Sequence, residues 1–101
     1  MPQERGPLQD LLRKMSKKGF YEILKYIDSR GPLHYNDILR HAQGTKVVDS
    51  RGQVNIIVNG LTSLGLLDRA VSLDKPVRTS YSISKKGKLV LEFLMRLEKE
   101  A

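Results

Sequence analysis

The chain has 101 residues, 40% of them hydrophobic, with 18 Lys and Arg against 11 Asp and Glu and a formal net charge of +7. That length suits one domain burying roughly 60–65% of its unfolded surface, and the charge gives a field attractive to polyanions. No cysteine is present, which excludes a disulfide framework and a thiolate metal site; no apolar run reaches the length of a membrane span or signal segment, so a soluble, cytoplasmic protein is expected.

Residues 1–6 are polar with Pro and Gly and are expected to fray. Leu8, Leu11, Leu12 and Met15 then recur at helical spacing, with Pro7 at a permitted first-turn position. This helix, over 7–18, ends on Lys14, Lys17 and Lys18. Phe20, Ile23, Leu24 and Ile27 carry the next helix, which Gly31-Pro32 stops. Gly19 either separates the two or bends a single helix. Tyr21 and Tyr26 lie off the main stripe, where packing at the core edge is a better reading than base stacking. Leu33-His34-Tyr35 forms a short extended stub, and Asn36 caps a short helix through about Ala42, with Ile38 and Leu39 inward. Gln43 to Asp49 connect, with Lys46 either within reach of phosphate or simply solvated.

The segment Ser50–Leu64, closed by Gly65, is the most informative. Its β-branched run Val54-Asn55-Ile56-Ile57-Val58 and the interior Gly60 argue for a strand. The alternation Val54, Ile56, Val58 does not extend to Leu61 and Leu64, however, whereas the stripe Val54, Ile57, Val58, Leu61, Leu64 holds a helical period throughout. Ser50 or Asp49 can cap its start and Gly65 suits a left-handed C-cap. Gly60 would permit close packing against the preceding short helix, the one that Asn36 caps. The opposite face carries Arg51, Gln53, Asn55, Ile56 and Asn59, mostly amides and one guanidinium, which are side chains able to read base edges in a major groove.

Leu66–Ser72 and Val77–Ile83 read as two strands joined at Leu73-Asp74-Lys75-Pro76. The second alternates Val77, Thr79, Tyr81, Ile83 with Arg78, Ser80, Ser82. The result is a β-hairpin with Lys75 at its tip and Arg78 on its second strand. Ser84 caps a final helix, over 84–100, whose stripe is Leu89, Val90, Phe93, Leu94 and Leu97. Leu91 and Met95 lie off that stripe as surplus apolar surface. Together with the first helix this predicts a homodimer interface of Leu8, Leu11, Leu12, Met15, Leu91, Phe93, Leu94 and Met95, with burial inside the same domain as the alternative.

The order of elements predicts an α+β, mostly α fold: a winged helix-turn-helix with a two-stranded β-hairpin wing and flanking N- and C-terminal helices. Specific segments carry a family resemblance. Ile23-Leu24 followed by Gly31-Pro32-Leu33-His34-Tyr35-Asn36-Asp37-Ile38-Leu39 resembles the approach to the second helix in the HxlR and MarR groups of regulators. Leu61-Thr62-Ser63-Leu64-Gly65-Leu66-Leu67-Asp68-Arg69 is similar to their recognition-helix exit, and Tyr81-Ser82-Ile83-Ser84-Lys85-Lys86-Gly87 to their wing exit. The resemblance covers about residues 20–95. The chain departs from the HxlR group in lacking a cysteine before its first core helix, and its 43–49 loop differs from the tighter family turn. Its small size, with no ligand domain, resembles compact regulators of archaea or their viruses.

The resemblance implies a dimer on double-stranded DNA, with the helix over 50–64 in the major groove and the wing over 66–83 on the backbone or in the minor groove. Gln53, Asn55 and Asn59 would pair with adenine, Arg51 with guanine or a phosphate, and Ile56 would touch a thymine methyl. Lys75 and Arg78 would supply phosphate or minor-groove contacts, with Ser50, Tyr35 and Asn36 as further contacts. Catalysis has no support. His34 and His41 are seven residues apart on two predicted elements, with no third ligand at metal spacing, so exposed or capping roles fit them better. No nucleophile elbow or glycine-rich phosphate loop is present, and neither enzyme activity, a metal nor a cofactor is expected. The rivals are a winged-helix protein-docking module and a non-specific, chromatin-type DNA binder.

Overall fold

A computed structural model describes residues 6–48, 50–73 and 75–101; the fraying expected over 1–5, the alternative cap Asp49 and the tip residue Asp74 lie outside them. The elements are α1 (Pro7–Met15), α2 (Phe20–Arg30), β1 (Leu33–His34), α3 (Tyr35–Gly44), α4 (Arg51–Ser63), β2 (Leu67–Ser72), β3 (Arg78–Ile83) and α5 (Lys85–Glu100). No helix among the described residues is long and apolar enough to cross a membrane.

The first helix ends at Met15, short of the expected residue 18, with Ser16 as its C-cap. Gly19, at φ +92°, a left-handed value that favours glycine, is the N-cap from which α2 starts as a separate helix. The expected wing gains a third strand. The sheet is antiparallel in the order β1-β3-β2, with Leu33 opposite Tyr81 and His34 opposite Ser80, and Leu67 opposite Ile83 through Ser72 opposite Arg78. The stub at Leu33-His34 is therefore a strand, and Tyr35 already belongs to α3. Asn36 is not the cap. His34 is, and its backbone N–H donates to the Asp37 carboxylate at 3.3 Å, satisfying a donor that would otherwise lack a partner at the helix start.

The segment expected to be a helix over Ser50–Leu64 is one. Ser50 Oγ accepts from the Gln53 N–H at 3.4 Å. At the other end, Leu66 N–H donates to the Leu61 carbonyl and Gly65 N–H to the Thr62 carbonyl, both at 3.0 Å, with Gly65 at φ +78°. This is a Schellman motif, which satisfies the last carbonyls and turns the chain into β2. Gly60 sits against Phe20 of α2 rather than against α3, the helix expected from the sequence: a Cβ there would lie 2.9 Å from the ring.

One hydrophobic cluster joins these elements, with Ile23, Leu24 and Ile27 from α2, Ile38 and Ala42 from α3, and Val54, Ile57, Val58 and Leu61 from α4. Leu66, Leu67, Tyr81 and Leu91 complete it. The last of these corrects the sequence reading. Leu91 is 1% exposed, whereas Leu89, Phe93 and Leu97 of the expected inner stripe are exposed. The helix carries two apolar stripes, and its start decides between them. Ser84 Oγ caps the Gly87 N–H at 2.9 Å and its hydroxyl also bonds the Gly65 carbonyl. Gly87 is buried so close to the Leu66 carbonyl that a Cβ would collide with it. Leu91, one turn on from Gly87, is thereby turned into the core.

Candidate nucleic-acid interface

Packing of Val54, Ile57, Val58 and Leu61 against α2 and α3 fixes the rotation of α4. Ser50, Arg51, Asn55, Ile56 and Asn59 are left exposed, while Gln53 is half-buried. Asn59 Nδ2 donates to Asn55 Oδ1 at 3.3 Å, an i,i+4 bond that orders both amides. The pair retains the Asn55 amide donor and the Asn59 carbonyl acceptor as hydrogen-bonding groups. Ile56, 65% exposed, is an apolar side chain amid these polar ones.

A second surface lies between α3 and the wing. His34, Tyr35, Asn36, Asp37 and Arg40 form one wall of a cleft of about 380 Å³, and Val77, Arg78 and Thr79 form the other. The ring of His34 helps hold the walls together, its Nδ1 standing 3.4 Å from the Thr79 carbonyl. The fold thus brings Tyr35 and Asn36 to Arg78, three residues that sequence reading assigned to separate elements. Arg40 joins them as an exposed cation, its guanidinium 3.5 Å from Asp37. Its signal in the sequence was the spacing from Asn36, four residues back on the same helix face. Lys75 is exposed at the wing tip. Lys46, with φ +58°, borders a shallow cleft with Gln43, Val48 and Ser50, beside the start of α4.

His41 takes neither an exposed nor a capping role. It stacks on Tyr26 across the α2–α3 packing, with ring centroids 3.4 Å apart and planes 5° from parallel. Burial first, and then the nearby Arg30 charge, lower its pKa. Tyr26 is half-buried, as a core-edge residue should be. Among the described residues no three His, Cys, Asp or Glu side chains are grouped so as to hold a metal ion.

A third surface is apolar. Leu8, Leu11, Leu12 and Met15 of α1 and Leu89, Val90, Phe93, Leu94 and Leu97 of α5 enclose an apolar groove of about 260 Å³. Of the predicted interface residues, Leu8, Leu12 and Phe93 are exposed, while Leu11, Leu94 and Met95 are half-buried. Leu91 is a core residue of its own domain and offers no such surface, and Met15 borders the groove only from within the core; Leu89 and Leu97, which the sequence placed inward, supply it instead. Polar contacts tie α5 to α2. Tyr21 donates to Glu98 at 2.8 Å, and Lys88 pairs with Asp28 at 3.2 Å. Burial, followed by the Glu98 contact, pushes the Tyr21 pKa up to about 12.

No protein-family model matches the sequence, and no curated protein matches it. Solved structures do match. One, described as a MarR-family transcriptional regulator from Porphyromonas gingivalis, aligns with a TM-score of 0.72 at 20% identity over 98% of this chain and 92% of its own. A PadR-like transcription factor from Bacteroides fragilis gives 0.73 at 21% over 94% and 91%. The reduced form of the transcriptional regulator YodB from B. subtilis gives 0.75 at 15% over 96% and 90%. At such identities the shared property is the fold, and it is the winged-helix fold of MarR-type and PadR-type regulators.

Proposed function

We propose that this chain is a sequence-specific double-stranded DNA-binding transcriptional regulator that acts as a homodimer in the cytoplasm, without catalytic activity. The observation that carries the reading is the exposed half of α4, where Arg51, Asn55 and Asn59 surround Ile56 on a helix whose opposite face is fully occupied by the core. Placed in a major groove, the amides pair with adenine, Arg51 with guanine or a phosphate, and Ile56 with a thymine methyl. The cleft of Tyr35, Asn36, Arg40 and Arg78 supports passage of the adjoining phosphate backbone, with Ser50 and Lys75 as flanking contacts. Gln53 has a smaller part than its residue type suggests, because it is half-buried.

The homodimer is supported by the apolar groove between α1 and α5, which leaves Leu8, Leu12 and Phe93 uncovered in the isolated chain. Two copies packed there would present two recognition helices to successive half-sites. The transcription regulators that share the fold add support to the regulatory role. A protein-docking module would want an apolar or acidic face on α4, and Ile56 alone answers to that.

Binding to genomic fragments across a series of salt concentrations tests the proposal. A subset of fragments should stay bound as salt rises, after electrostatic binding to the rest has been lost. Uniform release of all fragments would leave only a chromatin-type binder, and absence of duplex binding at low salt would overturn the reading.

A further inference from the structure

Apolar side chains of the wing continue past the edge of the core. Residues alternate between faces along a strand, which puts Leu67, Arg69 and Val71 of β2 on one side of the hairpin together with their β3 partners Ile83, Tyr81 and Thr79. At the base this side is covered, with Leu67 3% exposed. Beyond the last pair, Ser72 opposite Arg78, the chain leaves the ladder and carries Leu73 and Val77 at the end of the hairpin. Leu73 is 89% exposed and Val77 64%. Pro76 is exposed as well.

We propose that this wing tip is a minor-groove wedge, with Leu73 entering between base steps, partly unstacking them and kinking the duplex beside the half-site that α4 reads. The inference rests on the DNA-binding reading above. Apolar side chains such as Leu and Pro act in this way when placed in a minor groove. Three observations favour a groove over a protein as the occupant. The tip offers only a few side chains, far short of the roughly 800 Å² per partner of a stable protein interface. The hairpin carries Arg69, Lys75 and Arg78, all exposed, against Asp68 and Asp74 in its sequence. This positive balance on a chain of net charge +7 favours phosphate over a second copy of the chain. Its position also fits, because Val77 and Arg78 form the wall of the cleft that holds Tyr35, Asn36 and Arg40. A backbone seated in that cleft brings the wing tip to the neighbouring groove. Flexible pyrimidine–purine steps such as TA and CA kink at least cost, so they are preferred at that flank even though no side chain reads them.

The test uses the full chain and a duplex taken from the retained genomic fragments. Bend is read by end-to-end energy transfer and unstacking by 2-aminopurine fluorescence at the flanking step. Wild type should bend the duplex by tens of degrees and brighten the 2-aminopurine. Leu73→Ala, at an exposed position that leaves the core untouched, should bind the same site about tenfold more weakly with most of the bend lost. Leu73→Met should restore both. Sequence-specific binding by wild type without a bend would overturn the wedge and leave the DNA reading standing, as would a Leu73→Ala complex that keeps its bend. If Leu73→Ala leaves DNA binding unchanged but alters sedimentation of the free protein, the tip is a contact between copies and the wedge is wrong. Absence of any duplex binding by wild type would remove both readings together.

Discussion

Gly60 shows how one residue can oppose its local structure and still be required. Glycine inside a helix costs about 1 kcal/mol against alanine, yet the Phe20 ring occupies the space a Cβ would need. Phe20 is itself buried, so the ring has little room to yield, and overpacking a core typically costs about 1–3 kcal/mol. Gly60→Ala should therefore lower stability by roughly 1 kcal/mol despite its better helix propensity, read from the urea midpoint. Gly60→Ala combined with Phe20→Leu should recover part of the loss. The sequence showed only a glycine that is costly inside a helix, and the partner forty positions away was not legible because Phe20 meets it only in the folded chain. His41 offers a second prediction. Its folded pKa lies below the unfolded value of about 6.5, so the unfolded chain takes up the proton first as pH falls. The stability from neutral His41 is complete above about pH 6.5 and is lost as pH drops through the folded value. The urea midpoint should fall between about pH 7.5 and pH 5, and His41→Phe, which keeps a ring on Tyr26, should remove that portion of the fall.

At the scale of elements, helices with one apolar stripe were readable and the helix with two was not. The face of α4 was legible because its helical stripe runs on to Leu61 and Leu64, whereas the competing strand alternation stops at Val58. In α5, Leu89, Phe93 and Leu97 make as good a stripe as Leu91, Leu94 and Met95, and the choice falls to contacts of Ser84 and Gly87 with residues 65 and 66. The strand β1 has two residues, too few to show a period, and only its pairing with β3 defines it. Ser84 should accordingly be the more expensive cap. Ser84→Ala loses both the Gly87 cap and the bond to the Gly65 carbonyl, and should cost about 2 kcal/mol by urea unfolding. Ser50→Ala loses only a cap at 3.4 Å on an exposed helix start and should cost about 0.5–1 kcal/mol. Equal costs would mean that Ser84 does not anchor α5.

For the whole molecule, the proposed function draws on three surfaces: the exposed half of α4, the cleft and wing beside it, and the apolar groove of α1 and α5. The candidate DNA residues were legible as types at helical spacing, but their grouping was not, because Tyr35, Asn36, Arg40 and Arg78 meet only through the pairing of β1 with β3. The groove separates residues that look alike in sequence. Phe93→Asp places a charge on exposed apolar surface, so it should yield a folded monomer by sedimentation with unchanged helix content. Leu91→Ala instead opens a cavity and should cost about 2–5 kcal/mol of stability. A Phe93→Asp chain that still sediments as a dimer would move the interface elsewhere.

The central claim, that α4 reads bases through its exposed amides, is tested most directly by a specificity ratio. Affinity for a retained genomic site is compared with affinity for a duplex of unrelated sequence at one salt concentration, in wild type and in Asn55→Ala with Asn59→Ala. Loss of a bidentate base contact is worth about 1–3 kcal/mol of discrimination, so the ratio should collapse by at least about tenfold in the double variant while affinity for the unrelated duplex stays the same. A double variant that keeps the wild-type ratio would show that the exposed face of α4 does not read the DNA.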